Sequence, residues 1–169
     1  VSTDIDPGAT LYKLVQRTSF GYSGAEYTRA SSMGYDAYLE EQLNPLGIVE
    51  NPLLAPRLAP YTTLNFTPEQ AYAVNNAGAQ KTEIIEALIY RATLSRRQLF
   101  ERLVEFWHDH FNISIDTDAG YLLPMFDRDV IRPLAMGTFP DLLRAVAHSP
   151  AMLQFLNNDV STAAGINEN

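Results

Sequence analysis

The stretch Ser95–Ser114, SRRQLFERLVEFWHDHFNIS, restricts the fold of this chain more than any other. Its apolar residues recur with helical period. Leu99, Leu103, Phe106 and His110 share one face, and Phe100, Val104, Trp107 and Phe111 form a second stripe beside it. The combined arc exceeds half the circumference, so other elements must enclose the helix on most sides. Arg97, Glu101, Glu105 and His108 fill the remaining arc. Ser95 and Gln98 have the S-x-x-Q spacing of a capping box, which predicts the helix start. Beyond Phe111 the run Asn112-Ile113-Ser114-Ile115 loses helical period, which predicts an abrupt end. Trp107 is expected to be buried, with this helix against those around Leu88 and Leu142.

The rest of the chain supplies the enclosing helices. Asp6-Pro7 reads as a cap followed by a proline at the first helical position, and Leu11, Leu14 and Val15 carry that helix toward Gly21. Ser23 and Glu26 make an S-x-x-E box for a second helix, which Gly34 closes. A third helix is expected over Tyr35–Leu43, with Tyr38, Leu39 and Leu43 inward. Residues 44–66, with Pro45, Pro52, Pro56 and Pro60, read as an irregular connection draped over helices. Thr67, Pro68 and Gln70 open a long helix or a broken pair, weakest at Asn75–Gly78, with Ile84, Ile85, Leu88, Ile89 and Ala92 inward. A helix over Tyr121–Ile131, ended by Pro133, precedes two more around Leu142–Ala147 and Pro150–Leu156. No strand pair is legible. The expectation is an all-α irregular bundle of about seven or eight helices, residues 1–169 forming one helical domain.

Charge and composition exclude several functions. Twenty acidic against 12 basic residues give a net charge of −8, the wrong sign for phosphate backbones, so nucleic acid is not expected as a partner. No apolar run reaches the roughly 18 residues of a membrane span. The chain has no Cys and no G-x-S-x-G, which removes thiolate chemistry and the hydrolase nucleophile elbow.

Candidate chemistry centres on Glu105, His108 and His110. Glu105-x-x-His108 puts a carboxylate and an imidazole on one helical face, the spacing used in di-iron carboxylate bundles. His110 lies about 200° round from His108 on an ideal helix, so one metal ion takes both only where the helix unwinds near Asp109. The structural alternative makes His108 and Glu105 a solvated pair and His110 a buried ring bonded to backbone.

Several motifs carry a family resemblance. Leu14-Val15-Gln16-Arg17-Thr18-Ser19-Phe20-Gly21, Met33-Gly34-Tyr35-Asp36-Ala37-Tyr38-Leu39-Glu40-Glu41-Gln42-Leu43 and Glu101-Arg102-Leu103-Val104-Glu105-Phe106-Trp107-His108-Asp109-His110-Phe111 occur in that order. Ile131-Arg132-Pro133-Leu134-Ala135-Met136-Gly137-Thr138-Phe139 with Asp141-Leu142-Leu143, then Ser149-Pro150-Ala151-Met152-Leu153 and Asn167-Glu168-Asn169, complete the set. Together they resemble the bacterial family called domain of unknown function 1800. Two positions depart from its pattern: Tyr38 stands where the family tends to have Trp, and Leu134 where many members carry His. The resemblance implies an exported protein, periplasmic or extracellular, longer than this chain, of which residues 1–169 are the N-terminal portion. It implies as partners the remaining C-terminal part of the same protein and a second exported family of unknown function, number 1501. Two functions stay open. One is a non-catalytic scaffold or assembly component. The other is a metal-dependent enzyme, an oxidoreductase or hydrolase, with a transition metal on His108, His110 and Glu105.

Overall fold

The structure, a computed structural model, describes residues 7–74, 77–162 and 165. Asp6, Asn75, Asn76 and Asn167-Glu168-Asn169 lie outside them. The fold is all-α. The helices are α1 (Pro7–Thr18), α2 (Gly24–Met33), α3 (Tyr35–Leu43), α4 (Leu54–Leu58), α5 (Pro68–Ala73), α6 (Ala77–Leu94), α7 (Gln98–His110), α8 (Leu123–Met125), α9 (Arg132–Leu134), α10 (Phe139–Ala147) and α11 (Pro150–Phe155). A π-helical turn, Phe126–Ile131, joins α8 to α9. Among the described residues no strand forms; Thr162 and Gly165 make an isolated antiparallel bridge.

Among the described residues, most buried apolar side chains gather in two clusters. Leu11, Leu14, Val15, Ala30 and Tyr38 close the α1–α3 corner. The larger cluster includes Ile84, Ala87, Val104, Phe126, Ile131, Leu142 and Val146. The central helix α7 packs on α1, α3, α6 and the π-helical turn, so it lies between the two. Gly34 joins α2 to α3 with φ +86°, a conformation that disfavours any side chain with a Cβ. Gly120 meets a different demand: a Cβ there would lie 2.3 Å from the Ile115 carbonyl oxygen.

Several local expectations hold. The third helix spans Tyr35–Leu43. Thr67 and Gln70 form a complete capping box, and the helix it opens breaks before α6. Ser23 accepts from the Glu26 N–H at 3.4 Å, but the Glu26 carboxylate turns to Arg29 and to the Tyr38 hydroxyl. The connection over 44–66 is more regular than its prolines suggest, since it contains α4 and two single turns, Pro45–Gly47 and Thr62–Asn65.

Others are corrected. The box at Ser95 and Gln98 does not form. Glu50 accepts from the Ser95 hydroxyl and the Arg96 N–H, both at 2.7 Å, and Gln98 donates to the Ser95 carbonyl. The orphan N–H of Leu99 is met instead by Oε1 of the fully buried Gln42, at 3.1 Å. Helix α7 is therefore capped from α3. Leu43, Ile85 and Ile89 face outward, about half exposed. The inward stripe of α6 runs through Gln80, Ile84, Ala87 and Arg91, and its two polar members have partners: Gln80 donates to the Ala71 carbonyl and Arg91 to Asp127. Trp107 is half-buried rather than enclosed; its Nε1 donates to the Ala135 carbonyl at 2.9 Å. Pro133 does not end the helical run. The Arg132 N–H bonds five residues back to the Asp127 carbonyl, and the proline follows where that wider pattern stops, so its missing donor breaks nothing.

Candidate functional site

The π-helical turn delivers Asp127 to the centre of the molecule, where it is 1 % exposed. Three helices supply its partners. Nε of Arg132 in α9 donates to Oδ2 at 2.7 Å, and Arg91 in α6 donates to the same oxygen at 3.0 Å. Nε2 of His108 in α7 lies 3.0 Å from Oδ1. The remaining nitrogens of Arg132 grip Glu101 in bidentate fashion, at 3.1 and 2.8 Å. Glu101 and His108 are seven residues apart, two turns of α7, so both reach the network with the fully buried Val104 between them. Phe126 meets the His108 ring edge to face, and Arg132 lies over the Phe100 ring.

The electrostatics of this knot are self-consistent. Burial pushes the Asp127 carboxyl up, but the Arg132 charge, the His108 bond and the Arg91 charge outweigh it and hold Asp127 well below the usual carboxylate range. Burial lowers Arg132 as well, and Asp127 and Glu101 more than reverse that. Arg91 is different. Burial and the neighbouring Arg132 charge lower it below the ordinary guanidinium value, although Asp127 opposes them. An ionised carboxylate only accepts, so the His108 Nε2 carries the hydrogen and, in the neutral ring, Nδ1 is left as acceptor.

The three residues expected to hold a metal are placed apart. His108 turns inward to Asp127. Glu105 is exposed and pairs with Arg102 at 2.8 Å. His110 faces outward, stacked on Phe106 with centroids 6.0 Å apart. Helix α7 persists through His110, which keeps the two imidazoles on different sides. Among the described residues no three His, Asp or Glu side chains converge as a metal donor set.

Asp127, Arg91 and Arg132 were not legible as site residues. One signal existed. Asp127 interrupts an otherwise apolar stripe of Leu123, Phe126, Val130, Ile131 and Leu134, where an acid must be paired if it is buried.

Next to the knot the surface changes character. Phe106 (53 % exposed) and Phe139 (48 % exposed) flank Trp107, His110 and Phe111. Trp107 stacks on Phe111 at 5.8 Å and on Phe139 at 6.0 Å, and Phe111 stacks on Phe139 at 6.4 Å. This ridge runs into an open groove of about 330 Å³ lined by Phe111, Leu143, Val146, Met152 and Leu156.

These features define a class: an all-helical protein tied at its centre by an arginine–carboxylate–histidine network and carrying an aromatic ridge on the adjoining surface. The chain belongs to the family described as Protein of unknown function (DUF1800), which matches residues 13–169. No curated protein and no solved structure matches it. No helix among the described residues is long and apolar enough to cross a membrane.

Proposed function

We propose that this protein is a non-catalytic assembly component that binds a partner protein through the ridge of Phe106, Trp107, His110, Phe111 and Phe139. One observation carries the reading: the F-W-H-x-H-F segment divides its labour. His108 points inward and ties the fold, while Phe106 and His110 point outward into a contiguous apolar surface. Clustered exposed aromatics of this kind mark protein interfaces. The candidate partners are the remaining C-terminal part of the same protein and the exported family of unknown function 1501. Both, like a periplasmic or extracellular location, rest on the family resemblance. The test is light scattering on a chromatographed mixture of this protein with a purified member of the exported family of unknown function 1501. A complex that is lost with Phe106→Glu and Phe139→Glu supports the reading. No complex with the native protein opposes it.

A second reading is favoured by one contact. Asp127 fixes Nε2 of His108, as carboxylates do for ligating imidazoles, and leaves Nδ1 free to coordinate. A metal-dependent oxidoreductase or hydrolase using His108, Glu105 and His110 requires the end of α7 to rearrange so that His110 turns round. Elemental analysis of protein purified without chelator tests it, and stoichiometric iron, copper, manganese or zinc is the expected result.

A further inference from the structure

Among the described residues, Arg91 uses one of its five donor hydrogens: its Nη1 bonds to Asp127, and its guanidinium makes no other hydrogen bond to them. The group is largely buried, with 17 % of its side chain exposed, and that exposed part faces an open cleft of about 360 Å³. The cleft lies between α4, the Thr62–Asn65 turn, α6 and the stretch Pro124–Arg128. Its walls are apolar through Ala55, Leu58, Leu64 and Pro124, and Asn65 and Arg91 are among its polar lining residues. The other guanidinium there, Arg128, is already taken by the Leu64 and Phe66 carbonyls and by Asp129.

We propose that this cleft binds a small organic monocarboxylate, its carboxylate on Arg91 and its apolar body against Leu58, Leu64 and Pro124. A guanidinium with spare, half-dry donors in a cleft with apolar walls is the complement of such a ligand. Charge selects a monoanion over a phosphate. Asp127 borders the cleft and Asp129 neutralises the bordering Arg128, so the pairs Arg91–Asp127 and Arg128–Asp129 leave no surplus positive charge for a dianion. The site is distinct from the aromatic ridge and does not depend on the docking reading.

Isothermal titration of the whole protein with hexanoate, hexanamide and inorganic phosphate tests the proposal. Hexanoate is expected to bind with a Kd on the order of 1 mM. Hexanamide and phosphate should bind about tenfold more weakly or not at all. Arg91→Ala would also strip Asp127 of a partner, so the informative variant is Ala55→Phe. It lies on an exposed turn of α4 and fills the cleft without touching the ion network. Its hexanoate affinity should fall about tenfold or more, with the thermal midpoint unchanged. Absence of hexanoate binding to the native protein, equal binding of hexanamide or phosphate, or undiminished binding to Ala55→Phe would each overturn the proposal.

Discussion

Nε2 of His108 lies 3.0 Å from Oδ1 of Asp127, and this contact joins α7 to the π-helical turn at the centre of the molecule. It gives the histidine of the signature segment a structural task. It also makes Asp127 the residue on which three helices depend.

Asp127→Asn should therefore be severe. It leaves Arg91 and Arg132 with half their compensation in a buried place, where breaking an ion pair costs about 3–5 kcal/mol. Glu105→Gln, at the exposed Arg102 pair, should change stability by less than about 0.5 kcal/mol. Urea unfolding of both variants measures the contrast.

Stability should fall in acid, and mainly through Asp127. Its folded carboxyl is held below the unfolded value of about 3.9. Between the two values the unfolded chain binds the proton and the folded one does not, so the contribution is complete above about pH 5 and shrinks as pH drops below about 4. Thermal midpoints from pH 7 to pH 2.5 should show this loss. Asp127→Asn should show a shallower slope over the same range.

Trp107 is bound by two kinds of contact that substitution separates. Trp107→Phe keeps most of the stacking on Phe111 and Phe139 but removes the donor to the Ala135 carbonyl, at about 1 kcal/mol. Trp107→Ala removes both, at about 3 kcal/mol, the low end for a large-to-small change because the ring is only half-buried. Chemical denaturation of the two variants should rank them in that order.

Gly120→Ala sets two effects against each other. Removing a glycine restricts the unfolded chain and stabilises by about 0.4–1 kcal/mol. The new Cβ, however, would lie 2.3 Å from the Ile115 carbonyl oxygen and 2.7 Å from the Lys81 side chain, an overlap that forces movement at about 1–3 kcal/mol. The clash should win, and the urea midpoint should drop.

Local chemistry was legible where it acts locally. Tyr35–Leu43, the Thr67–Gln70 box and the stop at Gly34 follow from residues within a turn of one another, and the structure places them as the sequence indicates. The start of α7 was not legible, because Glu50 and Gln42 meet its N–H groups from 46 and 57 residues away. Ile85 and Ile89 misled for a related reason. Hydrophobic period assigns the buried face to apolar residues, whereas Gln80 and Arg91 occupy it here with partners on other segments. The ion network was hidden in the same way: Glu101 and His108 read only as members of the polar arc of α7, and their partners Arg132 and Asp127 lie on other segments.

The central claim is that the ridge on α7 and α10 is a protein-docking surface. Calorimetric titration of a purified member of the family of unknown function 1501 into the native protein and into Phe106→Glu tests it most directly. Because Phe106 is 53 % exposed, the variant should fold with an unchanged thermal midpoint while its affinity falls about thirtyfold or more, the loss expected at an interface hot spot. No binding by the native protein, or equal affinity for Phe106→Glu, would contradict the claim.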